Sequence, residues 1–123
     1  MSATLKILAV DDEPSIRQSM RFIFGGPRYE VTIAESGEEV LAKLDKNTDT
    51  FDVIVIDQKM PHLTGLELVE AIRKRGFSGK MMVLSAHLSS EIRAAYAEMD
   101  VHVLLDKPFD IDDLRLALDA LAA

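Results

Sequence analysis

Short apolar runs alternate along the chain with longer segments whose apolar positions recur every three or four residues. Leu5, Ile7, Leu8, Ala9 and Val10 predict a buried strand that ends at Asp11. Ile16, Met20, Ile23 and Phe24 follow the i, i+4, i+7, i+8 spacing of a helical stripe. Pro14 suits that helix's first turn, where its missing N–H costs nothing, and Gly25-Gly26-Pro27 ends it. Tyr29, Val31 and Ile33 alternate as a second strand. Ser36-Gly37-Glu38-Glu39 has the spacing of a capping box and opens a helix running to the neighbourhood of Lys46. After a loop, Phe51 to Ile56 is a nearly continuous apolar run rich in Val and Ile, as expected of a strand covered on both faces, and it stops at Asp57.

The alternation continues to the end. Thr64-Gly65-Leu66-Glu67 is a second capping box, with Leu66, Val69 and Ile72 as the stripe of its helix and Gly76 as its stop. Met81 to Leu84 is a fourth strand ending at Ser85. Ile92, Ala95, Tyr96 and Met99 mark a helix, and Val101 to Leu105 a fifth strand ending at Asp106-Lys107-Pro108. Leu114, Leu118 and Leu121 mark the last helix. Five βα units in a row predict an α/β fold, a three-layer doubly wound (βα)5 sandwich with a parallel five-stranded sheet and right-handed crossovers. The expected strand order is 2-1-3-4-5, the flavodoxin-like arrangement. No linker, repeat or low-complexity tract interrupts residues 1–123, which read as a single domain.

Composition narrows the function classes. Hydrophobic residues make up 48% and charged residues 28%, as in an ordinary globular domain and unlike a disordered chain. The net charge of −7, from 21 acids against 14 Lys plus Arg, disfavours nucleic acid and anionic membranes and suits divalent cations or basic partner surfaces. With no cysteine, disulfides, thiolate catalysis and zinc-thiolate sites are excluded. Met1 to Lys6 lacks the basic and apolar regions of a signal peptide, and no apolar run approaches spanning length, so a cytoplasmic location is expected.

In such sheets ligands bind outside the carboxyl ends of the strands, at the point where the strand order reverses. Asp11 and Asp12 follow strand one, Asp57 ends strand three, Ser85 ends strand four and Lys107 follows strand five. Strands one, three, four and five are consecutive in the expected order, so these groups converge on one crevice. Carboxylates brought together repel unless a cation joins them. Mg²⁺ answers that need, with its preference for oxygen ligands in an octahedron. Lys107 supplies a mobile positive charge and Ser85 a hydroxyl. A carboxylate nucleophile, a metal, a lysine and a hydroxyl are the parts needed to attack phosphorus.

Asp11-Asp12, Asp57, Met60-Pro61, Gly65, Ser85 and Lys107-Pro108, in this order and on these strand ends, resemble the receiver domains of two-component response regulators. The segment Ala34-Glu35-Ser36-Gly37-Glu38-Glu39-Val40-Leu41 is similar to the start of that family's second helix, and the resemblance runs from Leu5 to Leu121. It implies that Asp57 accepts a phosphoryl group from a phosphohistidine on a sensor histidine kinase or histidine phosphotransfer protein. It implies Mg²⁺ (or Mn²⁺) held by Asp12, Asp57 and the backbone carbonyl of Lys59, with Asp11 acting largely through water. Lys107 would contact the phosphoryl group and Ser85 would swing toward it. That movement would remodel the surface formed by the helix of Ile92 and Met99, the fifth strand and the last helix. By the same resemblance a downstream effector, or an output domain in trans, reads the surface, and phosphorylation can drive homodimerisation there. A cis bond before Pro108 is also implied.

Blander readings exist for each residue. Asp11 and Asp12 could cap the first helix, Asp57 could be a turn residue, Ser85 a local hydrogen-bonder and Lys107 a solvated charge beside Asp106. Their coincidence on one predicted edge favours the functional reading. Met20, Met81, Met82 and Tyr96 read as packing, and His62, His87 and His102 lack ligand spacing. An aspartyl-phosphate phosphatase would want a second acid two residues after the nucleophile, where Lys59 stands. A flavin or nucleotide binder would want a phosphate-cradling loop after strand one, where Asp11-Asp12-Glu13 would repel phosphate. A receiver-like interaction module that acts without phosphorylation is the remaining alternative. It draws on Leu104, which stands where the family usually has Phe or Tyr, three residues before the strand-five lysine. By the same resemblance, Lys59 and His87, each two residues past a site residue, would flank the phosphoryl group and alter its lifetime.

Overall fold

In a computed structural model, residues 4–11, 18, 28–46, 51–57, 64–77, 79–85, 89–99, 101, 103–106 and 111–122 are described. Five strands, β1 (Leu5–Val10), β2 (Tyr29–Ala34), β3 (Val53–Asp57), β4 (Lys80–Ser85) and β5 (Val103–Asp106), form one sheet in the order β2-β1-β3-β4-β5. All four pairings are parallel. Four helices are described: α1 (Gly37–Lys46), α2 (Gly65–Lys74), α3 (Ser90–Glu98) and α4 (Ile111–Ala122). Of the helix predicted around Ile16 to Phe24 only Gln18 is described, and it is helical; Met20, Pro108 and the expected cis bond lie outside the described residues. The expected doubly wound arrangement is present.

Strand pleating divides the core into two layers, because successive side chains leave opposite faces. Leu8, Val10, Ile54, Ile56, Met81 and Val83 face one side and pack with Val40 and Leu44 of α1, Leu68, Val69 and Ile72 of α2, and Tyr96 of α3. Ile7, Ala9, Val53, Val55, Met82 and Leu84 face the other and pack with Leu114 and Leu118 of α4. Helices therefore cover both faces, which is why β1, β3 and β4 read as unbroken apolar runs rather than alternating ones. Met81, Met82 and Tyr96 are packing residues, as expected.

Local chemistry sets the helix ends, with small departures from the sequence reading. At α2 the capping box is complete: the Glu67 N–H donates to Thr64 Oγ1 at 3.3 Å, and Glu67 Oε1 accepts from the Thr64 N–H at 3.1 Å. The Thr64 backbone N–H and then its hydroxyl hold the Glu67 carboxyl below its ordinary range. At α1 the Glu39 N–H donates to Ser36 Oγ at 3.1 Å, but the Glu39 carboxylate accepts from the N–H of Glu35, one residue earlier than a standard box, at 3.4 Å. The stripe of α2 centres on Leu68, Val69 and Ile72, with Leu66 only half-buried. Strand β3 starts at Val53 rather than Phe51, because the Asp52 carboxylate turns back to accept the Lys6 N–H at 2.9 Å. Gly76, at φ 79°, closes α2 in the left-handed region where glycine carries no Cβ penalty.

Helix α4 is tied to the sheet's β2 edge by polar contacts. Asp119 accepts from the Arg28 guanidinium at 2.9 Å and from the Tyr29 hydroxyl at 3.3 Å. Burial, and then the neighbouring Asp119 carboxylate, raises the Tyr29 phenol above its ordinary value, so it stays a donor. Among the described residues no helix is long and apolar enough to cross a membrane.

Candidate functional site

The register of the sheet determines what stands at its carboxyl edge. Val10 pairs with Ile56, so Asp11 and Asp57 occupy neighbouring positions on adjacent strands. Asp57 pairs in turn with Leu84, and Ser85, one residue further, pairs with Asp106. Lys107 is the next residue in the chain. The strand ends that carry Asp11, Asp57, Ser85 and Asp106 thus form one continuous edge across β1, β3, β4 and β5. The sequence order reverses between β1 and β3, where β2 lies on the far side of β1. That is the switch point at which open α/β sheets bind ligands.

Asp11 is the one predicted site residue whose side chain is described, and it is wholly buried, at 0% exposure. Its backbone N–H donates to the Ala34 carbonyl at 3.3 Å, which carries the β1–β2 ladder one residue beyond the strand. A carboxylate removed from water is costly unless donors or a cation compensate it. Asp57 and Ser85 are described by their backbone positions, while Asp12, Lys59 and Lys107 lie outside the described residues. Among the described residues no group of three or more His, Asp or Glu is placed to hold a metal ion. The donor set at the edge, a buried carboxylate beside a second aspartate, has the chemistry of a hard-cation site.

One residue important to this architecture escaped the sequence reading. Arg73, in the last turn of α2, donates from Nε to the Met99 carbonyl at 3.0 Å and from a terminal nitrogen to the Phe77 and Gly79 carbonyls at 2.9 and 3.3 Å. A basic residue in a last helical turn was its only sequence signal, and that signal is common on solvated surfaces.

Sheet order, two-sided helix cover and an aspartate-bearing carboxyl edge define a flavodoxin-like α/β domain whose strand order reverses between β1 and β3. The family model of the response regulator receiver domain matches residues 7–119, and the chain belongs to that family. Response regulator MprA of Mycobacterium leprae is 34% identical over 117 residues, 95% of this chain and 50% of the relative. A Haloferax volcanii protein is 32% identical over 115 residues, of which this chain spans 19%. The chain thus spans half or less of these curated relatives. Among solved structures, Vibrio cholerae chemotaxis protein CheY4 superposes with a TM-score of 0.88 at 36% identity, covering 97% of this chain and 99% of that one. The Francisella response regulator 1452 receiver domain gives 0.85 at 33% identity, covering 96% of each chain. This is a response regulator receiver domain, a regulatory domain by family.

Proposed function

We propose that Asp57 is the phosphoacceptor and that the domain takes a phosphoryl group from a phosphohistidine donor in a Mg²⁺-dependent reaction. The observation that supports this most is the β1–β3 register, which sets Asp57 beside a fully buried Asp11 at the switch point. A carboxylate oxygen of Asp57 attacks phosphorus, the bond from phosphorus to the donor imidazole breaks, and the released imidazole nitrogen takes up a proton. The product is an acyl phosphate on Asp57.

The donor set fits Mg²⁺, with Asp12, Asp57 and the Lys59 carbonyl as ligands and Asp11 contributing through water. When bound, Mg²⁺ neutralises charge on the phosphoryl oxygens. Lys107 pairs with a phosphoryl oxygen as a point charge, and the Ser85 hydroxyl donates to another. Hydrolysis of the acyl phosphate by water returns Asp57 to its resting state, at a rate tuned by Lys59 and His87. The donor is a sensor histidine kinase or histidine phosphotransfer protein in the cytoplasm. The reader is an effector or output domain, and phosphorylation can also favour a homodimer.

The test uses the chemical lability of the product. Protein labelled by acetyl phosphate with Mg²⁺ should lose its phosphate to hydroxylamine, which cleaves acyl phosphates and spares phosphoesters. Label that survives hydroxylamine, or that maps to a peptide without residue 57, would overturn the assignment. Leu104 favours a second reading. It is half-buried, pairs with Val83 on β4 and packs into the same layer as Tyr96. An aliphatic side chain there removes the ring that the family usually places at this position, so the switched surface is weaker or different. At the limit the domain acts without phosphorylation, and a lack of Mg²⁺ binding would support that limit.

A further inference from the structure

Helix α3 is attached to the body unevenly. Tyr96 is its one fully buried residue among those described, at 0% exposure, while Ile92 and Met99 are partly buried against the same layer. At its C-terminal end the Tyr96 carbonyl accepts from the N–H groups of Met99 at 3.0 Å and Val101 at 3.2 Å. The Met99 carbonyl, one of the acceptors that a helix end leaves without an intrahelical donor, accepts from Arg73 Nε. The same guanidinium is seated on the turn after α2 through the Phe77 and Gly79 carbonyls.

That seat is closely packed. A Cβ on Gly79 would lie 2.3 Å from the Phe77 ring and 2.8 Å from the Asp52 carbonyl, so the chain passes there with no room for a side chain. Phe77 is itself buried. At the other end of α3 the Ile92 N–H donates to Ser89 Oγ at 3.2 Å, a local cap. Ser89 follows the β4 end at Ser85 by four residues. Arg73 therefore joins a closely packed turn to the end of α3 that lies further along the chain from the candidate site.

We propose that Arg73 is a positioning residue that pins the C-terminal end of α3 as a pivot, so that rearrangement at the β4 end is taken up by the N-terminal end of the helix. The planar fork suits this role because one guanidinium satisfies three carbonyls in a fixed geometry. A lysine ammonium has three donors but gathers them on one nitrogen at the end of a flexible stem, so it cannot span the same carbonyls in one fixed geometry. Beside the guanidinium, Glu70, Lys74, Glu98 and Met99 help line an open cavity of about 350 Å³. Water can therefore hydrate the Met99 carbonyl when Arg73 is removed, which predicts a variant that folds with a loosened helix end rather than one that unfolds. The pivot is a property of the unmodified protein; its use as a lever rests on the phosphoacceptor reading above.

The test is amide hydrogen exchange, residue by residue, on the unmodified chain. In Arg73→Gln the Met99 and Val101 amides should exchange faster by about tenfold, the size of one charge-assisted hydrogen bond. The Ile92 and Arg93 amides should stay within about twofold of wild type. Arg73→Lys should fall between the two, and it carries the same reading if Arg73→Gln does not fold. Acceleration spread evenly along α3, or none at Met99 and Val101, would overturn the pivot. In a second step acetyl phosphate and Mg²⁺ are added, and intact mass reports whether phosphate was taken up. With uptake, exchange at Ile92 and Arg93 should change while Met99 and Val101 hold in wild type but not in Arg73→Gln; equal change at both ends of wild-type α3 would overturn the lever. Without uptake, the phosphoacceptor reading and the lever fall together, while the first step still decides the pivot.

Discussion

Asp11→Asn should stabilise the metal-free protein, opposite to the usual effect of altering a buried polar residue. The register sets Asp11 and Asp57 on adjacent strands. At the strand spacing of about 4.8 Å and an effective dielectric of about 20, two unit charges repel by about 3 kcal/mol. Screening by solvent and counter-ions leaves roughly half of that, about 1–2 kcal/mol, to be relieved by the isosteric amide. For a chain of 123 residues each kcal/mol moves Tm by about 4 °C, so Asp11→Asn should melt about 4–8 °C higher in EDTA. Mg²⁺ should act the other way. At ten times its Kd it stabilises wild type by RT ln 11, about 1.4 kcal/mol or about 6 °C. A variant with tenfold weaker affinity gains only about 0.4 kcal/mol, about 2 °C, at the same concentration. Thermal melts of both proteins in EDTA and in a Mg²⁺ series read all of these quantities. A variant that melts below wild type in EDTA and keeps the full Mg²⁺ shift would refute both the repulsion and the metal assignment.

Gly79→Ala should lose about 2–3 kcal/mol in urea unfolding, since the added Cβ meets the Asp52 carbonyl, which already accepts the Lys80 N–H at 3.0 Å; a near-neutral result would contradict the close approach. Because the Glu67 carboxyl is held below its ordinary value, its capping contribution is full at neutral pH and is lost as pH falls through the folded value. Glu67→Gln, which removes the titrating carboxyl, should flatten that acid limb of a pH–stability profile, and an unchanged limb would count against the box. Asp119→Asn should cost under about 1 kcal/mol, because Arg28 and Asp119 are 70% and 40% exposed, and the difference from wild type should shrink in high salt. Exchanging Lys59 or His87 should change the dephosphorylation rate measured after removal of the donor, and equal rates would remove them from the site.

Strand identity and sheet order were legible because burial on both faces leaves apolar runs in β1, β3 and β4, which lead to Asp11, Asp57 and Ser85. The carboxyl-edge placement of Asp11, Asp57 and Ser85 then followed from topology alone. Boundaries were less legible. Phe51 and Val101 are apolar and adjoin strands, yet side chain-to-backbone contacts such as Asp52 to Lys6 decide where β3 begins. Periodicity placed Leu66 in the stripe of α2, whereas the helix's rotation against the sheet buries Leu68. Arg73 could not be read at all, because its partners are backbone carbonyls, which have no sequence signature.

The proposed phosphotransfer places the phosphoryl group on Asp57. Intact mass after incubation with acetyl phosphate and Mg²⁺, quenched at early times beside an Asp57→Asn control, tests it most directly. One added phosphoryl group is expected, absent from the control and absent without Mg²⁺. No adduct at any time, or an adduct that persists in Asp57→Asn, would contradict it.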